Sequence, residues 1–444
     1  MNFMSQKYRI SAPQHITFNM HTVIKPQTAS CYTVTSLYAK DFTYNLPPER
    51  IAVRPAEQRD QSRLLAACST SRSISHHSFS DLPALLPAQS MIITNVTKVI
   101  TARLEARKPT GGAVEILLLE PDNKHSAEDN LAQYALSRWK CMLGGRNLTA
   151  DMILAGDANG CSFTAKICEK FSQEAIIEFC WQPSDITFGE LIERAGNMPL
   201  PPYIKRRADA SDAVRYQTVY ARSPGSAAAP TAGLHFTPEI LAQTEARGIA
   251  RAELILAVGL GTFKPIETEL IGDIVMHSEK IGISLAELQR ITAHFNNNLP
   301  VICVGTTSLR AMESLYWFGV GILENRVDTE GTEFCVEQWT PYEHRDNYPS
   351  ASEALNTVIN WAISNNLSEL RGSTSLLIAP GYRFGTADGL ITNFHQPGST
   401  LLLLVAAFLG CNFWREVYGE ALKDKDYRFL SYGDACLFRR FADK

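Results

Sequence analysis

The texture of apolar and polar positions changes near residue 251. Between Met91 and about Glu190 helix signals are few. Short runs rich in Ile, Val, Leu and Phe occupy Met91–Asn95, Val114–Leu119, Phe163–Ile167 and Ala175–Trp181, with glycine-containing turns between them. Strands joined by tight turns have this pattern, which predicts a compact antiparallel β unit. Beyond Arg251 strands alternate with helices. Ala252–Val258 predicts a strand, and Ser284 with Glu287 forms a capping box opening a helix that carries Leu285, Leu288 and Ile291. Pro300–Val304 predicts a buried strand leading into a helix over Ser308–Leu315. Ser350 with Glu353 opens a helix carrying Leu355, Val358, Ile359 and Ile363; Ser375–Ala379 predicts a strand and Thr400–Phe408 a helix. This alternation is that of an α/β domain with a mostly parallel sheet, whose strand-end loops are the expected place for a ligand.

A chain of 444 residues is long enough for a large core divided between two domains. A hydrophobic share of 45% and a charged share of 20% are those of an ordinary globular protein. The net charge of −4 provides no global attraction to nucleic acid or anionic membrane, so any nucleic-acid contact must use a local basic patch. The ten cysteines contain no C-x-x-C pair, which speaks against a zinc or redox centre and for a reducing, cytoplasmic compartment. Met1–Lys7 leads into mixed polar residues without a signal-peptide core, and the apolar run Leu401–Leu409 is too short to span a bilayer.

Several chemistries have no motif here: there is no P-loop, no H-E-x-x-H and no G-x-S-x-G. Gly259-Leu260-Gly261 starts a dinucleotide fingerprint, but Lys264 stands where its third glycine should fall, so a tight turn is expected instead. His76-His77, in a Ser-rich stretch, predicts a solvated loop.

Other segments set a histidine or arginine among small polar residues at predicted strand ends. They are Thr231-Ala232-Gly233-Leu234-His235, Met276-His277-Ser278-Glu279, Gly305-Thr306-Thr307-Ser308-Leu309-Arg310 and Thr392-Asn393-Phe394-His395. A lone histidine is usually structural, and Ser308 could simply cap a helix; their joint occurrence points to a site. Gly305–Ser308 would offer N–H groups and hydroxyls to a carboxylate or phosphate. His277 and Glu279 share a face if extended, as a base and its orienting partner; Asn393 and His395 have the same spacing. Lys205-Arg206-Arg207 follows Pro201-Pro202-Tyr203, and either forms a solvated surface or grips phosphates with Tyr203 available for stacking. Lys98 and Arg103 form a second basic stripe, and on one alternating strand Thr97, Val99, Thr101 and Arg103 would share a face.

Taken together, these segments resemble the S-adenosylmethionine:tRNA ribosyltransferase-isomerase family of queuosine biosynthesis. The resemblance runs from Asp41 to Leu437. It includes Arg59-Asp60-x-Ser62-Arg63-Leu64-Leu65, Pro199-Leu200-Pro201-Pro202-Tyr203-Ile204, Tyr216-Gln217-Thr218-Val219-Tyr220, Ala229–Phe236, Met276–Glu279, Pro380-Gly381-Tyr382-x-Phe384 and Tyr427-Arg428-Phe429-x-Ser431-Tyr432-Gly433-Asp434-Ala435. It implies transfer of the ribosyl part of S-adenosylmethionine to a 7-aminomethyl-7-deazaguanine at the wobble position of a tRNA with a GUN anticodon. Adenine and methionine leave. S-adenosylmethionine is a co-substrate, and no recycled cofactor or metal is implied.

The resemblance also implies an α/β domain interrupted by a small antiparallel β-barrel. The α/β part is assigned to residues 40–97 and 191–444, the barrel to 98–190, and residues 1–39 to an N-terminal extension; a monomer is expected. For catalysis, His277 or His235 is the expected base, Glu279 its orienting partner, and Asn393 and His395 contacts to adenine or sugar. Thr306, Thr307 and Arg310 are expected on the methionine carboxylate, with Thr231, Gly233, Tyr216 and Gln217 completing the substrate site. Lys98, Arg103, Tyr203, Lys205 and Arg206 are the expected tRNA contacts. Four positions depart from the family pattern: Val96 for Asp, Thr101 for Pro, Ala257 for His and Gly398 for Lys. They leave open a paralogue acting on another acceptor, or a silent tRNA-binding homologue.

Overall fold

The computed structural model describes residues 34–122, 126–259, 261, 264–343, 348–424 and 426–441. Most of the expected N-terminal extension, residues 1–33, lies outside them.

The larger layer is a ten-stranded sheet. In spatial order its strands are Glu333–Val336, Glu369–Thr374, Glu279–Ser284, Ala250–Leu256, Met91–Asn95, Val301–Val304, Gly389–Asn393, Ala435–Arg439, Arg63–Cys68 and Ser73–Ser78. The four central strands, from Ala250–Leu256 to Gly389–Asn393, run parallel. Antiparallel neighbours enter on both sides of that block, so the sheet is mixed but mostly parallel. Met91–Asn95, Val301–Val304 and Gly389–Asn393 are buried at every position, as strands covered on both faces must be. The Thr306–Leu323 helix, buried from Thr306 to Gly321, packs beside them.

The predicted β unit is a barrel of six antiparallel strands, without Met91–Asn95, which pairs parallel within the ten-stranded sheet instead. Arg103–Arg107, Ala113–Pro121, Leu136–Gly144, Glu174–Gln182, Cys161–Phe171 and Ile153–Ala158 follow one another, and Arg107 opposite Ala155 closes the ring. Side chains alternate inward and outward along Cys161–Ile167 as period two requires. The Phe188–Ala195 helix starts in a complete capping box, with Thr187 and Glu190 exchanging hydrogen bonds. It lays Phe188 against Trp139, Phe179 and Trp181, with ring centroids 5.6, 5.2 and 5.4 Å away.

Local expectations are corrected at several places. Ser375–Ala379 is not a strand; the ladder ends at Thr374. The N–H groups that follow go to Val336 O, Thr374 Oγ1, Gln338 O and the Tyr342 hydroxyl, so the apolar run marks burial rather than pairing. The helix expected from Ser308 starts at Thr306, and the Ser308 hydroxyl donates back to Val304 O at 2.8 Å instead of capping. Ser284 does cap its helix, but the Glu287 carboxylate accepts from Glu253 N and Arg290, leaving the box half-formed. His76-His77 lies on the edge strand Ser73–Ser78. The stripe from Thr97 to Arg103 is broken into Thr97–Val99 and the first strand of the barrel, so its residues do not share one face.

No single helix among the described residues is long and apolar enough to cross a membrane. Thr400–Leu409 buries Leu402 to Ala406, Phe408 and Leu409 in the core.

Candidate active site

A cleft opens at the carboxyl ends of the central parallel strands, where ligands of open α/β sheets bind. Its floor is formed by Val258, Gly305, Asn393, Phe394 and His395, each at or just past a strand end. The segment Ala229–Ala232 forms one wall, and Tyr203 and Ser431 another. Thr306 and Thr307, in the first turn of the Thr306–Leu323 helix, line it as well. Gly305 precedes that helix at φ +91°, where glycine is favoured. No side chain caps the helix and its first turn holds no acidic residue, so the positive end of the helix dipole faces the cleft. The Thr307 hydroxyl is buried there without a hydrogen-bond partner.

Beneath the floor runs a chain of side chains. Thr231 Oγ1 donates to Asn393 Oδ1 at 2.9 Å, and Asn393 Nδ2 lies 3.0 Å from His235 Nε2. His235 Nδ1 lies 2.7 Å from Ser62 Oγ. With Asn393 donating, Nε2 is the acceptor and Nδ1 carries the proton. Burial, aided by the charges of Arg59 and Arg428, pushes His235 down to about 3. Both of its nitrogens are therefore occupied, and it does not line the cleft. The expectation of His235 as a base changes accordingly: it holds the floor. His395 does line the cleft, with Nε2 at 2.8 Å from Thr392 Oγ1. Burial also lowers it to about 3, which leaves it neutral.

His277 and Glu279 meet, as their spacing implied: Nε2 to Oε1 is 3.2 Å. Glu279 is buried, whereas about a third of the His277 side chain is exposed; like His235, neither is among the residues that line the cleft. The other carboxylate oxygen is ion-paired to Arg310. Arg310 lies one helical turn beyond Thr306 and does not line the cleft; its guanidinium, expected on a substrate carboxylate, is paired with Glu279.

Other expected contacts are occupied elsewhere. Gln217 clamps the backbone of Val99, donating to its carbonyl at 2.6 Å and accepting its N–H at 3.0 Å. Tyr216 is fully buried against Tyr432. Gly233 is packed so closely that a Cβ there would come within 2.1 Å of the Tyr220 hydroxyl. Arg206 forms a two-pronged pair with buried Asp212, at 2.6 and 2.7 Å, and Arg103 pairs with Glu115. Tyr203, on the cleft wall, bonds Ser431. Lys98 and Lys205 are exposed. Ser62 and Ser431 were given no site role, since a lone serine has no period to reveal it. Arg59 was missed too: it fastens the loop by donating to the carbonyls of Val214, Gln217 and Leu234.

Residues 39–438 match the family model described as "Queuosine biosynthesis protein". The chain belongs to this family. An S-adenosylmethionine:tRNA ribosyltransferase-isomerase from Dechloromonas aromatica is 40% identical over 406 residues, 91% of this chain and 97% of that one. Those of Burkholderia pseudomallei and Pelobacter propionicus are each 38% identical, covering 92% and 90% of this chain and 97% and 99% of theirs. A solved S-adenosylmethionine tRNA ribosyltransferase from Thermotoga maritima is 28% identical over 90% of this chain and 99% of that one, with a TM-score of 0.44.

The four positions expected to depart from the family pattern have these surroundings. Val96 is 1% exposed in an apolar cluster with Ile92 and Val304, where a carboxylate would be costly. The Thr101 hydroxyl donates to Ile192 O at 2.6 Å. Gly398, at φ +63°, ties Phe42 O and Ile266 N together through its backbone. Ala257 N donates to Lys280 O, so Ala257 stands opposite exposed Lys280, while buried Val258 and Glu279 lie on the other face.

Proposed function

We propose that this chain transfers and isomerises the ribosyl moiety of S-adenosylmethionine onto 7-aminomethyl-7-deazaguanine in the anticodon wobble position of tRNA. The product is epoxyqueuosine-tRNA, with release of adenine and methionine. The observation that carries this reading is the family match over residues 39–438, joined to a cleft at the strand ends lined by residues of the matching motifs.

The sulfonium of S-adenosylmethionine acidifies the adjacent ribose 5′ carbon, so a positioned base can remove a proton there and set off loss of adenine. His277 fills that role in this reading: it is partly exposed, and its Nε2 is oriented by Glu279. Thr306, Thr307 and the uncapped helix end would take the methionine carboxylate, and Asn393 and His395 would face adenine or sugar. Tyr203 offers a ring for stacking on an unpaired anticodon base, and Lys98 and Lys205 are the phosphate contacts. A barrel groove lined by Glu105, Glu115 and Asp157 with Arg107 and Arg207 carries more acid than base, and is a poor phosphate track. The enzyme acts as a monomer in the cytoplasm in this reading.

Incubation with ribose-labelled S-adenosylmethionine and tRNA bearing the aminomethyl-deazaguanine tests it. Adenine release with label in the tRNA is expected. Adenine release that leaves the tRNA unlabelled would point to another acceptor, and tRNA binding without turnover to a silent homologue.

A further inference from the structure

Glu279 holds two partners with its two oxygens, and neither arrangement depends on substrate. Oε1 faces His277 Nε2 at 3.2 Å, and Oε2 is paired with Arg310. Arg310 comes from the long buried helix and its side chain is 7% exposed, so it is part of a rigid element. Paired with Arg310 as a carboxylate, Glu279 can only accept, and so obliges His277 to present N–H at Nε2. The unprotonated nitrogen is then Nδ1.

A second restraint comes from Gly261, the second glycine of the incomplete dinucleotide fingerprint. A Cβ built on Gly261 would lie 2.9 Å from His277 Nδ1, 3.1 Å from Cε1 and 3.2 Å from Cγ. The imidazole thus packs over backbone that has no room for a side chain. An added Cβ at 261 would therefore press on this ring and displace it. Among the described residues, Glu279 meets His277 directly and Arg310 pairs with Glu279; Lys280 and Lys264 are exposed.

We infer that Arg310 is a positioning residue: it fixes Glu279, which with Gly261 sets the tautomer and ring orientation of His277. This rests on the reading of His277 as the base for the ribose 5′ proton. Arg310 therefore controls the protonation behaviour of the site without touching S-adenosylmethionine.

The test is the pH dependence of kcat/KM for adenine release in Arg310→Gln, Arg310→Lys, Glu279→Gln and Gly261→Ala, with KM for S-adenosylmethionine measured alongside. Loss of the guanidinium removes one positive charge from beside the Glu279–His277 pair, so the acid limb of Arg310→Gln should move up by about one pH unit. Glu279→Gln removes the anion and should move the limb down, and Arg310→Lys should restore it. KM for S-adenosylmethionine should change less than about twofold in Arg310→Gln, because uniform binding is untouched. Gly261→Ala should lower kcat while unfolding at the wild-type temperature. A tenfold rise in KM for Arg310→Gln with an unmoved limb would overturn the inference and return Arg310 to the substrate carboxylate. If Arg310→Gln does not fold, Arg310→Lys and Gly261→Ala decide: a shifted KM in the first, or unchanged kcat in the second, overturns it. His277→Gln separates the two levels. Full turnover there sinks the base reading, whereas lost turnover combined with an unmoved Arg310→Gln limb sinks only the role of Arg310.

Discussion

Asn393 Nδ2 lies 3.0 Å from His235 Nε2, and this contact decides which nitrogen of a fully buried imidazole carries the proton. It also ties the floor of the cleft to the wall, because the same amide accepts from Thr231. Asn393→Ala leaves Nε2 and the Thr231 hydroxyl without a partner, a loss of about 1–3 kcal/mol. Urea unfolding of the variant should show the lower midpoint, and an unchanged midpoint would remove the floor role assigned to this chain of bonds.

His235 and His395 make stability depend on pH in a stated direction. Both are depressed from 6.5 to about 3, chiefly by burial. Between those values the unfolded chain binds more protons than the folded one, so stability rises with pH across the window and is flat above it. Each histidine contributes a slope of up to about 1.4 kcal/mol per pH unit. Denaturation at pH 5 and 7.5 should give a smaller difference for His395→Asn than for the native chain. Equal differences would mean that His395 titrates normally.

Thr307 separates binding from folding. Its hydroxyl is buried and unpartnered, so Thr307→Val costs the fold little or nothing. If that hydroxyl bonds the substrate carboxylate, KM for S-adenosylmethionine should rise about tenfold, as for one lost charge-assisted bond. A native KM would place the carboxylate elsewhere in the cleft.

Two adjacent basic residues should behave differently. Lys205→Ala should weaken tRNA binding and reduce the slope of log affinity against log salt by about one. Arg206→Ala strips the partner from Asp212, whose side chain is 1% exposed, and should cost about 3 kcal/mol of stability. Salt-titrated binding and thermal unfolding of both variants check the pair. A large salt effect in Arg206→Ala with native stability would reverse the assignment.

Much of the architecture was legible because burial leaves a period. Met91–Asn95, Val301–Val304 and Ala175–Trp181 are apolar runs of strand length, and Ser350 and Ser284 are helix starts with a hydroxyl in the right place. The strand expected at Ser375–Ala379 fails for a reason general to such runs. Apolarity reports that a segment is inside, not that its N–H groups form one ladder.

The site divides along a similar line. Local spacing alone brought His277 to Glu279, because residues two apart in extended chain share a face. The segment Ala229–Phe236 and the motif at Thr392–His395 were recognisable as chemistry-bearing, but not which of their histidines stays accessible. Only the packing of strands far apart in sequence puts Ser62 and Asn393 on the two nitrogens of His235, and Arg310 behind Glu279 rather than in the cleft. The sequence by itself determined the elements, the family and the residue types at the strand ends. Tertiary structure decided which polar groups are already paired, since partners across the sheet are chosen by burial and have no separation in the chain from which to read them.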